Sequence, residues 1–111
     1  MAEKRRKEEE EHLPVLDGKE PPQSLESEQA VLGAMLMERD AIIVATGMLG
    51  PNDFYSGQHQ ELFTAMQAMF REDRPVDIVT LQAWFGPDAP VDSGYLGALL
   101  EAAPTAAAVK H

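Results

Sequence analysis

Ser56–Arg71 reads SGQHQELFTAMQAMFR, and this stretch decides the fold class. Leu62, Phe63, Met66, Met69 and Phe70 recur at three- and four-residue spacing, which lines one face of a 3.6-residue helix and no face of a strand. Ser56 is placed to cap the first turn, and Arg71 sits where the negative end of the helix dipole favours a cation. The spacing predicts an amphipathic helix, expected to be the central one.

Outward from it the same pattern repeats in shorter pieces. Ser24 is a suitable N-cap, with Glu26 and Glu28 set against the positive helix end. Leu25, Leu32 and Leu36, widened by Val31 and Met35, form an apolar stripe that runs to about Met37. Asp40 is the next expected cap, for a segment halted by Gly50-Pro51. Asn52–Tyr55 connects to the Ser56 helix, with Phe54 and Tyr55 expected to plug the joint. Asp73-Arg74-Pro75 reads as a turn. Asp77 then caps a helix near Val79 or Thr80, with Val76 as a hydrophobic staple and Val79, Leu81, Trp84 and Phe85 on its apolar side. Gly86-Pro87 closes that helix. A polar loop, Asp88–Gly94, leads to a short helix carrying Tyr95, Leu96, Leu99 and Leu100. Pro104 ends it, and Thr105 is placed to cap a last one. No segment keeps a strand's alternation, so the fold class is all-α, a compact bundle of five or six short helices.

Composition divides the 111-residue chain in three. Residues 1–23 hold a KRRK run, an EEEE run, three prolines and few large apolar residues, so they are expected to form a disordered charged tail. Residues 24–103 form the expected globular domain, and 104–111 the start of a truncated helix. A body of this size buries roughly 60–70% of its unfolded surface, for a net stability of about 5 kcal/mol.

Charge and motifs restrict function. From residue 24 onward four Lys/Arg face twelve Asp/Glu, and an acidic body repels a phosphate backbone. Direct DNA binding by the domain is therefore not expected. The absence of cysteine removes disulfides and thiolate metal sites and fits a reducing cytoplasm. The N-terminus lacks a signal peptide's apolar core, and no run approaches the ~20 apolar residues of a membrane span, so a cytoplasmic location is expected.

No catalytic, cofactor-binding or metal-ligating residue is assigned. Of His12, His59 and His111, only His59 lies within the expected core, where it reads as a structural or partner-facing residue. Asp53 and Asp77 fit turn and cap roles better than a carboxylate pair. Gly18-Lys19 lacks both the glycine five positions earlier, where Leu13 stands, and a following Ser or Thr, so there is no Walker A loop. Met35, Met37, Met48, Met66 and Met69 read as adaptable core filler, Met37 excepted because it lies off the stripe.

Three segments in order resemble the N-terminal domain of DnaB-type replicative DNA helicases. They are Ser24–Leu36 (SLESEQAVLGAML), Asp53-Phe54-Tyr55 with His59–Phe63 (HQELF), and Pro75–Leu81 (PVDIVTL). Gly94-Tyr95-Leu96 and Pro104–Ala107 match more loosely. Gln60 stands where the family often has arginine, and Ala108 where asparagine is common. Within the first segment Gly33 allows another helix to approach closely. The resemblance implies a helical head, continued in the family by a hairpin, a linker and a motor that binds ATP and magnesium. Six chains form the ring, and the collar of N-terminal domains docks primase and, in some bacteria, a helicase loader. This sequence stops before the hairpin, so a monomer or weak dimer is expected. The competing expectations are the helicase-binding domain of a primase, which should lack the EQAVLG segment, a stand-alone adaptor, and a small hydrolase using His59 and Asp53.

Overall fold

The computed structural model describes residues 24–103, which form five α-helices and no strand. The expected tail, residues 1–23, and the helix expected from Thr105 lie outside the described residues.

Helix α1, Leu25–Met37, starts as its sequence predicts: the Ser24 side chain accepts from the Ser27 amide at 3.0 Å. Its packing differs from expectation. Ala30 to Leu36 are all buried, so α1 is wrapped nearly all round by α2, α3 and α5. The central helix is α1 and not the Ser56 helix. A helix apolar on every side has no preferred face, and spacing alone gives it no prominence. Leu25, expected in the stripe, is half exposed because it precedes the turns that the other helices cover.

Helix α2, Arg39–Met48, begins one residue earlier than its expected cap. Glu38 occupies the N-cap position without a side-chain bond, and Asp40 contributes only its charge to the first turn. Ala41, Ile42 and Ala45 face the core. A 3-10 turn, Pro51–Asp53, follows; Asp53 Oδ2 accepts from the Gly50 amide at 2.8 Å.

Helix α3, Gly57–Arg71, is the amphipathic helix of the Ser56 stretch, capped by Ser56 through the His59 amide. Leu62, Phe63, Met66 and Met69 are buried, and Phe70 packs half-buried beside them. Phe54 plugs the joint as expected, its ring 5.0 Å from that of Phe63. Tyr55 does not; it is 88% exposed, since the backbone turns outward between the two.

Helix α4, Ile78–Phe85, carries a full capping box. The Thr80 amide donates to Asp77 Oδ1 at 2.8 Å, and the Asp77 amide donates to Thr80 Oγ1 at 2.9 Å. Val79, expected on the inner side, is 73% exposed. Packing against the core turns Ile78, Leu81 and Phe85 inward instead. Removing the cap by Asp77→Ala is expected to cost about 1 kcal/mol, read as a Tm loss of several degrees in thermal denaturation; an unchanged Tm would show the box to be idle.

Gly86, at φ 64°, ends α4. The loop expected to run to Gly94 is shorter, because a 3-10 turn covers Gly86–Asp88 and Asp92 caps α5, Ser93–Ala102. Leu96 and Leu99 face α1 and complete the core. A Cβ on Gly33 would lie 1.9 Å from the Leu99 carbonyl oxygen, so the missing side chain is what lets α1 and α5 meet.

Candidate functional site

The site is built on α3, whose two sides do different work. Its first turn points one residue, His59, into the interior, where the ring is 2% exposed. His59 Nδ1 lies 2.7 Å from Glu28 Oε1, and Nε2 lies 2.6 Å from the Tyr95 hydroxyl. A carboxylate only accepts, so Nδ1–H donates to Glu28. Glu28 also accepts from the backbone amides of Tyr55 and Ser56, at 2.5 and 3.4 Å. The Tyr95 hydroxyl accepts from Gln29 Nε2 at 3.1 Å. One network thus binds α1, α3, α5 and the loop entering α3.

The network saturates its own polar atoms. Both imidazole nitrogens are occupied, and the Glu28 carboxylate is 1% exposed. A general base needs a free nitrogen within reach of a substrate proton, and His59 offers none in this arrangement. Asp53 and Asp77, the other acidic candidates, are engaged as backbone caps at Gly50 and Thr80. Among the described residues no group of three or more His, Asp or Glu side chains is arranged to hold a metal ion. His12, His111 and Gly18-Lys19 lie outside the described residues.

The structure corrects two readings of this region. Glu28, expected to serve the helix dipole, is the buried hub of the network; Tyr95, expected as an apolar contact, brings its hydroxyl to His59. The sequence carries a signal for Glu28, since it stands three, four and seven residues before Val31, Leu32 and Met35 and so points where they point. The residues that the network joins lie 27 to 66 positions apart in the chain and carry no such signal.

The outer side of α3 borders two grooves that meet at Gln60, whose Nε2 donates to the Phe54 carbonyl at 2.8 Å. The first, about 500 Å³, runs between Leu25 and Tyr55 over Phe54. The second, about 380 Å³, lies between α3 and α4, floored by Thr64, Ala65 and Ala68 and walled by Pro51, Trp84 and Phe85. Glu61 lines it, and no lysine or arginine does. Cations do lie close to it: Arg71 follows Ala68 by three residues and is exposed. Arg74 stacks over Trp84 at 5.4 Å and pairs with Glu72 at 2.9 Å, while Arg39 stacks over Phe70 and bonds Asp73 and the Arg74 carbonyl. Of the methionines, Met35, Met66 and Met69 are buried as expected and Met37 is exposed as expected; Met48, expected as core filler, is exposed instead, at the last residue of α2.

A family model described as the DnaB-like helicase N terminal domain matches residues 20–111. The replicative DNA helicase DnaB of Geobacillus stearothermophilus is 41% identical over 95 residues, covering 82% of this chain and 21% of that protein. The replicative DNA helicase DnaC of Bacillus subtilis is 34% identical over 101 residues, covering 87% of this chain and 22% of that protein. The DnaB of Rhodothermus marinus is 50% identical over 64 residues, covering 58% of this chain and 7% of that protein. The chain therefore spans about a fifth of the length of these relatives, or less. The crystal structure of the N-terminal domain of DnaB helicase from Mycobacterium tuberculosis matches with a TM-score of 0.72 at 36% identity, covering 82% of this chain and 69% of that one.

Proposed function

The chain belongs to the family of DnaB-like helicase N-terminal domains, and from that premise we propose that it works as the docking and assembly part of a hexameric replicative helicase. In this reading ATP and magnesium belong to a motor region, and residues 24–103 act by holding other proteins. The partners are primase and, in some bacteria, a helicase loader, in the cytoplasm; among the described residues no helix is long and apolar enough to cross a membrane.

The observation that carries the docking reading is the contrast between the two sides of α3. The polar chemistry is sealed inside, and the outer face carries an aromatic-walled groove whose lining holds no lysine or arginine. Three arginines against twelve carboxylates in residues 24–103 disfavour a phosphate backbone as the occupant. Aromatic side chains on a grooved face are the usual anchors of protein recognition. A docked primase gains from this geometry by concentration alone, since tethering holds it beside newly unwound DNA.

The test is calorimetric titration with the helicase-binding domain of the cognate primase. Saturable binding is expected, weakened about tenfold or more by Tyr55→Ala. Far-UV circular dichroism should not change, because the Tyr55 ring is 88% exposed. No binding by the wild-type chain, nor by a longer form that includes the family's hairpin, would overturn the docking reading.

A further inference from the structure

The groove between α3 and α4 selects its occupant by shape and charge. Its floor of Thr64, Ala65 and Ala68 repeats at one- and four-residue spacing along α3, and these short side chains let a second helix axis come close. Trp84 and Phe85 form a continuous aromatic wall. From Glu61 to Ala68 the groove follows α3 for about 10 Å, or two helical turns. Glu61 stands on the same ridge as the floor residues.

We propose that this groove seats an amphipathic helix of a partner protein, one whose apolar stripe is edged by lysine or arginine. The inference rests on the docking reading above and adds the place and the selectivity. Helix-in-groove recognition needs an apolar channel of this kind, and the Glu61 carboxylate, in a lining without lysine or arginine on a strongly acidic domain, favours positive edges. The same charge argues against the other occupants. A second copy of this chain brings carboxylates to carboxylates, and a nucleic acid brings phosphates.

Trp84 is the only tryptophan in the chain, so its emission reports directly on the groove. The probe is a helical peptide of about five turns with leucine and alanine on one face and lysine along both edges. It is compared with a peptide bearing glutamate at the edges and with a scrambled one. The lysine-edged peptide is expected to shift Trp84 emission to the blue with a saturable isotherm, weakening as salt rises. The glutamate-edged peptide should bind at least about tenfold more weakly. Thr64→Arg should abolish the response while leaving the fold intact, since Thr64 is exposed. Equal binding of the three peptides, or undiminished binding to Thr64→Arg, would overturn the proposal. So would a concentration-dependent Trp84 shift without peptide, which would give the groove to a second copy. The docking reading fails separately. If the lysine-edged peptide binds as expected but primase binds neither form, that reading falls and the groove stands. If primase binds while the peptide gives no saturable response, the groove falls and docking stands.

Discussion

Gly33→Ala is expected to lower the stability of this domain by about 2 kcal/mol or more, since among the described glycines it is the one whose added Cβ meets the closest contact. The added Cβ would lie 1.9 Å from the Leu99 carbonyl oxygen and 2.8 Å from its carbonyl carbon. Both are backbone atoms of α5, so no side chain can swing aside and the helices must separate. Overpacking of this kind costs typically 1–3 kcal/mol, and here the overlap falls on backbone, at the upper end. The gain in helix propensity from Gly to Ala, about 1 kcal/mol, offsets only part of it. Thermal denaturation should show a Tm about 10 °C lower. Gly47→Ala is the matched control: a Cβ there meets nothing within 4 Å, so the same substitution should be neutral or slightly stabilising. Equal Tm values for the two variants would mean that α1 and α5 do not meet at Gly33.

Glu28→Ala should be more damaging still. Removing the carboxylate leaves His59 Nδ1 and the amides of Tyr55 and Ser56 without their acceptor in an interior where Glu28 is 1% and His59 2% exposed. Breaking one side of a buried pair costs about 3–5 kcal/mol, comparable with the whole stability of a domain this small. Urea unfolding should find Glu28→Ala largely unfolded. Glu28→Gln, which keeps one carbonyl acceptor, should fall in between. Tyr95→Phe should cost only about 1 kcal/mol, because it removes a single hydroxyl at the edge of the network. The Glu28→Ala, His59→Ala pair should fall short of additivity. A cost below about 0.5 kcal/mol for Glu28→Ala would remove the network as a structural keystone.

Much of the fold is legible in the chain itself. The Ser24, Ser56 and Asp77 caps announce α1, α3 and α4, since a capping side chain and the amide it serves lie three residues apart and need nothing distant. The Leu62–Met69 spacing defines the inner face of α3 for the same local reason. The rotation of α4 is not legible: Ile78 and Val79 are equally apolar neighbours, and only packing against the core selects Ile78. Nor is the identity of the central helix, because burial of α1 on all sides comes from α2, α3 and α5 together.

The candidate site divides along the same line. The place of His59 inside the folded core is legible from its position at the start of the Ser56 helix. Its partners are not legible, since Glu28 lies 31 residues before it and Tyr95 36 after. The groove between α3 and α4 likewise draws on Pro51, α3 and Trp84, brought together only by the fold.

Near neighbours along the chain and ordered motifs are enough to specify the helix-forming segments, the caps of α1, α3 and α4, the acidic charge and the family. Tertiary packing alone decides which helix is buried, which carboxylate becomes the hub of a polar network, and where an aromatic-walled groove opens. Those properties depend on distances between residues far apart in sequence, and such distances exist only once the helices have packed.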